Sequence, residues 1–346
     1  MGGRRGADER ALKEGSMDSV NRRDFMKSVA AAGALGATPE LGAAEKSDPP
    51  ASGASGAVLL ATWAHGQPAV DRAAEILAKG GSLLDAVEKG INVPELDPKI
   101  TSVGYGGLPN EDGKVELDAA IMDGTRHRAG SVCNLHGVKT PISVARLVLE
   151  KTRHTTMAGI GAQRFAMRFG YHPEQLLTPQ SLQRWLDWKA NPDRKTFWIT
   201  PEQHDTIGFV GTDGRGHIVA GCSTSGLAWK IMGRVADSPL VGCGLYADDN
   251  AGGASATGDG DLMTNYCTSV SIVQAMSRGA SPQEACEDLL RFMVKTDPRN
   301  KESQSAVIAM NPKGEIGAAS MNAGFHLVYA LWQSGQSAMH DSVILY

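Results

Sequence analysis

The run Val58-Leu59-Leu60-Ala61-Thr62-Trp63 is apolar at successive positions, the mark of a strand covered on both faces. Downstream the period lengthens. Val70, Ala73, Ala74 and Leu77 fall on one face of a helix expected from Pro68 to Lys79, which stops at Gly80-Gly81. Ser82 with Asp85 then forms a capping-box pattern that opens a second helix. Val115, Leu117, Ala119 and Ile121 alternate with polar or small residues and predict a strand, with another near Ser131 to Leu135. A helix opened by Pro141 runs to Lys151. From Tyr171 to Gln203 the chain turns polar and is punctuated by Pro173, Pro179, Pro192 and Pro201. One helix is expected there from Pro179 to about Lys189, and exposed linker elsewhere. Strand patterns return at Thr206 to Val210 and His217 to Cys222, around a turn at Asp213-Gly214. Helices are expected at Thr264 to Arg278 and Ser281 to Lys295, the second capped by Ser281 and Glu284, before strands at Ala306 to Met310, Ile316 to Ser320 and Phe325 to Leu331. This order predicts an α/β chain with two helical layers around stacked sheets.

Composition narrows the class. The 346 residues are 42% hydrophobic and 21% charged, with 41 glycines, well above the usual ~7% and suited to a sheet-rich enzyme with tight turns. A net charge of −4, with no basic run outside the leader, excludes an electrostatic footprint for nucleic acid. Cys133, Cys222, Cys243, Cys267 and Cys286 are odd in number and widely spaced. They read as buried free thiols, with neither a C-x-x-C pair nor zinc-ligand spacing. No apolar stretch is long enough to span a membrane.

Residues 1–50 read as a leader. Asn21-Arg22-Arg23-Asp24-Phe25-Met26-Lys27 resembles a twin-arginine signal, followed by a weakly apolar stretch from Ser28 to Thr38 and the Ala-rich Gly42-Ala43-Ala44. A periplasmic or secreted destination follows. Met17 is an alternative start, because the residues before it add nothing to the signal. A Pro/Ser/Gly linker from Asp48 to Gly56 leads into the folded part.

Among chemical motifs, G-x-S-x-G, H-E-x-x-H and Walker A are missing. What stands out is the stretch from His204 to Asp261, where small polar residues and glycines concentrate. Its successive segments are His204-Asp205-Thr206-Ile207-Gly208, Thr224-Ser225-Gly226, Gly233-Arg234-Val235-Ala236-Asp237-Ser238-Pro239 and Ala256-Thr257-Gly258-Asp259-Gly260. Together with Thr62-Trp63, Asp85-Ala86-Val87-Glu88-Lys89-Gly90, Ser102-Val103-Gly104-Tyr105-Gly106-Gly107 and Pro141-Ile142-Ser143-Val144-Ala145-Arg146, they resemble the ordered motifs of the glycosylasparaginases over residues 57 to 333. The resemblance implies a four-layer αββα sandwich of the N-terminal nucleophile hydrolase type. It also implies autocatalytic cleavage between Asp205 and Thr206, which would divide one domain into an α-subunit part, 51–205, and a β-subunit part, 206–346.

The chemistry accounts for these residue types. A threonine hydroxyl needs an adjacent base, and its own α-amine, with a pKa near ~7.7 to 8.0, can serve once the preceding peptide bond is broken. By the resemblance, Thr206 is the nucleophile, Asp205 assists the cleavage and Thr224 orients the hydroxyl. Thr257 and Gly258 form the oxyanion hole. Arg234 and Asp237 would clamp the carboxylate and ammonium of an amino-acid substrate, and Trp63 would shape the pocket. No metal or organic cofactor is expected, and a homodimer of processed units is implied.

The expected reaction is hydrolysis of the amide between N-acetylglucosamine and asparagine, releasing aspartate. The neighbouring plant-type asparaginase and isoaspartyl-peptidase branch shares the threonine chemistry but usually has Gly before the nucleophile, where this chain has Asp205. A non-catalytic periplasmic binding protein for amino acids or glycopeptides could use Arg234 and Asp237, but leaves His204-Asp205-Thr206 without a purpose. Two positions depart from the family's usual His-Gly-Arg-Val-Gly-Asp loop: Met232 and Ala236, which bear on substrate size.

Overall fold

A computed structural model describes residues 56–192 and 205–346. The leader expected over 1–50, and His204 with the end of the polar linker, lie outside them. The strands are β1 (Val58–Thr62), β2 (Leu117–Asp123), β3 (Arg128–Leu135), β4 (Thr156–Ala158), β5 (Ile207–Thr212), β6 (Ile218–Thr224), β7 (Leu245–Asp248), β8 (Gly252–Gly258), β9 (Ser305–Met310), β10 (Ile316–Ser320), β11 (Val328–Gln333), β12 (Gln336–Asp341) and β13 (Val343–Ile344). The α-helices are α1 (Gly66–Ala78), α2 (Leu83–Leu96), α3 (Pro141–Lys151), α4 (Gly159–Met167), α5 (Pro179–Ala190), α6 (Gly260–Tyr266), α7 (Thr268–Ser277) and α8 (Pro282–Thr296).

The strands make two sheets. One has the order β12-β11-β1-β5-β6-β2-β3-β4 and the other β13-β10-β9-β8-β7. Pairing is antiparallel except for β3 with β4 and β10 with β13. Alternation along the central strands sorts side chains between two apolar layers. Leu59 and Phe209 pack with Val87 and Ile91 of α2 and Ile142 of α3, whereas Leu60 and Val210 pack toward Leu245, Ile308 and Met310 of the other sheet. A third layer joins the outer face of the second sheet, through Ala254 and Val307, to Ile272 of α7 and Leu290 of α8. The two sheets therefore face each other, and helices cover their outer faces.

Both capping boxes form. Ser82 Oγ accepts from the Asp85 N–H while the Asp85 carboxylate accepts from the Ser82 N–H, and Ser281 with Glu284 does the same for α8. Three expectations need correction. The helix expected from Thr264 to Arg278 is two helices, because Cys267 adopts φ 46, a left-handed conformation that ends the first. The strand expected from Thr206 begins at Ile207. The stretch after Tyr171 is not all exposed, since Leu176 and Thr178 are buried. No helix among the described residues is long and apolar enough to cross a membrane.

Candidate active site

β1 and β5 lie side by side, and their ends bring Thr62 against Thr206. The Thr62 hydroxyl donates to the Thr206 carbonyl at 2.7 Å and accepts from the Gly208 N–H at 2.8 Å. One side chain thus fixes the backbone on both sides of Ile207. Thr206 is buried, and its Oγ1 donates to Thr224 Oγ1 at 3.2 Å. Thr224, at the end of β6, accepts from the Gly226 N–H and donates to the Ser102 carbonyl. The hydroxyl of Thr206 therefore points along a fixed line. Burial raises the Asp205 carboxyl above the ordinary carboxylate range.

Trp63 follows β1 in the left-handed region at φ 65, a conformation that costs a bulky residue energy and is held only by its surroundings. Its N–H donates to the Val328 carbonyl, its indole packs edge-on against Phe325 and its Nε1 donates to Thr257 Oγ1 at 3.0 Å. With that lone pair occupied, the Thr257 hydroxyl proton remains to be donated elsewhere. Gly258, the last residue of β8, has φ 115, and a side chain there would collide with the Gln304 carbonyl, so only glycine fits.

Thr206, Thr224, Arg234, Asp237 and Gly258 line one cleft, together with Asp118 and Gly260. Thr257 and Trp63 stand beside it through their mutual hydrogen bond. The Asp237 carboxyl is buried and its Oδ2 has no hydrogen-bond partner among the described residues. Burial pushes it up to about 7, and the nearby Arg234 guanidinium pulls the other way. Arg234 is paired with Asp261 rather than with Asp237: Nε and Nη2 donate to Asp261 Oδ2 at 3.2 and 2.6 Å. That fixes one edge of the guanidinium fork and turns the other toward the cleft.

Behind Arg234 lies a group of charged side chains that no sequence motif marks. Lys230, Glu116 and Asp118 are almost fully buried. Lys230 Nζ lies 3.5 Å from the Asp118 carboxylate and 4.0 Å from that of Glu116. Glu116 also accepts from the Gly233 N–H with both oxygens, at 3.2 and 3.3 Å, next to Arg234. Nothing in linear spacing connects residues 116, 118 and 230; only their charge, in otherwise apolar surroundings, could have drawn attention. Asp261 and Thr62 lay within matched or neighbouring segments without a role. Met232, 61% exposed, borders a separate groove with His136, Gln163 and Leu176.

Residues 59–339 match the family model for asparaginase, and residues 19–39 match the twin-arginine translocation pathway signal sequence, so the chain carries an export signal as expected from Arg22 and Arg23. The chain is similar to the N(4)-(beta-N-acetylglucosaminyl)-L-asparaginase of Elizabethkingia miricola, 42% identical over 313 residues, 88% of this chain and 91% of that one. The rat protein of the same name is 38% identical over 291 residues, covering 76% of this chain and 83% of its own. The mouse protein is likewise 38% identical, over 292 residues, with the same shares.

Proposed function

Because the chain belongs to the asparaginase family, we propose that it is a glycosylasparaginase: it cleaves itself between Asp205 and Thr206 and then hydrolyses N4-(β-N-acetylglucosaminyl)-L-asparagine, releasing aspartate. The observation that carries this reading is the convergence on one cleft of a fixed threonine hydroxyl, an arginine fork and a buried carboxyl with one oxygen unpartnered among the described residues. We read the paired sheets with helices outside them as the four-layer αββα sandwich of N-terminal nucleophile hydrolases.

In maturation, Thr206 Oγ1 attacks the Asp205 carbonyl carbon, the peptide nitrogen leaves that carbon and an ester replaces the amide. That shift frees the Thr206 α-amine, and water then hydrolyses the ester, releasing the Asp205 α-carboxylate and restoring the Thr206 hydroxyl. The raised pKa of the Asp205 side chain suits it to deliver a proton to the departing nitrogen. In turnover, the α-amine accepts the Thr206 proton as Oγ1 attacks the side-chain amide carbon of the substrate. The Thr257 hydroxyl and the Gly258 N–H stabilise the oxyanion. Arg234 binds the substrate carboxylate and Asp237 its ammonium. The glycosylamine leaves, and water hydrolyses the acyl ester to aspartate. The processed units associate as a homodimer in this reading, and the reaction requires no metal or organic cofactor.

The test is to incubate purified protein with glycosylated asparagine and with free asparagine and to compare kcat/KM, while a denaturing gel reports cleavage. Two bands and a preference for the glycosylated substrate are expected. A preference for free asparagine or isoaspartyl peptides would instead place the chain in the plant-type branch. Tight binding without turnover by an uncut chain would make it a binding protein.

A further inference from the structure

Four of the five cysteines are buried, but Cys267 is exposed, contrary to the expectation from spacing that all are buried free thiols. It occupies the left-handed residue between α6 and α7. The thiols of Cys267 and Cys243 both donate to the Thr264 carbonyl, each with a sulfur-to-oxygen distance of 3.8 Å. Burial raises the Cys243 thiol to about 12, and the neighbouring Cys267 adds to the effect.

The backbone around this pair is tightly held. The Cys243 carbonyl accepts from the Ser269 N–H, from Ser269 Oγ and from Thr268 Oγ1, at 3.2, 2.6 and 2.8 Å, and the Gly242 carbonyl accepts from the Val270 N–H at 2.9 Å. The start of α7 is thus bound to the loop that follows Asp237. Gly244, the next residue, donates to the Asp237 carbonyl at 3.0 Å. At the other end of α6, Asp261 holds Arg234. The two thiols therefore sit where the loop bearing Asp237 meets the helix bearing Asp261.

We propose that Cys243 and Cys267 form a disulfide after export, a modification that joins α6 to the loop behind Asp237. The proposal does not depend on which amide the enzyme cleaves. It rests on a pair of thiols that share one acceptor, on the exposure of one of them and on an export signal that directs the chain out of the reducing cytoplasm. The oxidant is a small or protein disulfide. The Cys267 thiolate attacks one of its sulfurs and expels a thiol, which leaves a mixed disulfide on Cys267. Cys243 then loses its proton and attacks the Cys267 sulfur, expelling the second thiol. Two cysteine thiols are oxidised and one external disulfide is reduced to two thiols.

The test treats purified full-length protein with glutathione disulfide or with a reductant, blocks free thiols and maps peptides without reduction. The expected result is a cross-linked pair of peptides containing Cys243 and Cys267, lighter by two hydrogens than the reduced pair. Melting temperature should rise by on the order of 5 °C on oxidation, for a closed loop of about 25 residues. Cys267→Ser should show neither change. A parent protein in which Cys267 keeps a stable glutathione adduct, while Cys243 is still alkylated after unfolding, would overturn the proposal. So would a redox-dependent rise in melting temperature that persists in Cys267→Ser.

Discussion

On one side of the cleft, Thr206 and Thr224 line it and Thr257 stands beside it, all on or next to strands of the two sheets, their hydroxyls held by another hydroxyl, backbone groups or an indole N–H. On the opposite wall, Arg234 and Asp237 stand on the irregular stretch between β6 and β7, supported by carboxylates and a buried lysine. The first wall is neutral and held by the sheet ladders. The second is charged, and its order depends on ions whose removal leaves partners stranded. Bond making needs atoms held to fractions of an ångström, whereas recognition of an amino-acid end needs charge in a dry place. In the proposed reaction, regular structure would serve the first task and buried charges the second.

Several substitutions would break this contrast, beginning with the most severe. Thr206→Ala should leave an uncut chain on a denaturing gel and lower turnover by roughly 10³-fold or more. Thr206→Ser should still mature, slowly, with kcat reduced more than KM is raised, since the methyl that restricts the rotamer is gone. A mature and active Thr206→Ala would move the nucleophile elsewhere. Lys230→Met leaves Glu116 and Asp118 buried without their cation, so urea unfolding should report a loss of roughly 3–5 kcal/mol. A loss under 1 kcal/mol, as an ordinary surface change gives, would show that the recognition wall does not rely on this cluster.

Arg234→Lys keeps the charge and loses the planar fork; KM should rise roughly 10- to 100-fold while self-cleavage proceeds. An unchanged KM would remove Arg234 from the clamp. Trp63→Phe deletes the donor to Thr257 and should lower kcat by roughly 10-fold with little change in KM. The smallest effect concerns Asp237. Its folded-state pKa, about 7, lies above the ordinary 3.8, so the folded chain retains a proton that the unfolded chain releases. The stability from the neutral carboxyl is complete below the ordinary value and is lost as pH rises to about 7. Asp237→Asn stays uncharged, so its melting temperature should gain on the parent's as pH increases across that window. A gap that stays constant with pH would mean that Asp237 does not titrate there.

Much of the scaffold was legible because helix starts and apolar faces are local. Ser82 with Asp85, Ser281 with Glu284 and the alternation through Leu117, Ala119 and Ile121 of β2 each announce themselves within a few residues. β8 does not. Its sequence, Gly252 to Gly258, is small and weakly polar, the composition of a loop, yet every residue in it is buried. The reason is close approach between sheets: a side chain at Gly253 would press to 2.8 Å from both Ile218 and Val210, and one at Gly208 would meet Ser255. Small residues there are demanded by a neighbour far away in sequence. The break at Cys267 was hidden because the polar and apolar pattern runs through it. The candidate site was legible as a set of motifs, and Thr206, Thr224, Arg234, Asp237 and Gly258 do share one cleft. The pairing of Arg234 with Asp261 and the cluster around Lys230 were not legible, because ion pairs across 27 or 112 residues leave no periodic trace.

New chain ends ordinarily fray, because a terminus has lost the covalent tether on one side. The hydroxyl of Thr62 changes what a cut before Thr206 would leave behind. It grips the Thr206 carbonyl on one side of Ile207 and the Gly208 N–H on the other, and neither bond involves the severed peptide. A terminus made here would be moored at birth, with its amine already beside its own hydroxyl. Scission would subtract a tether without adding freedom of movement.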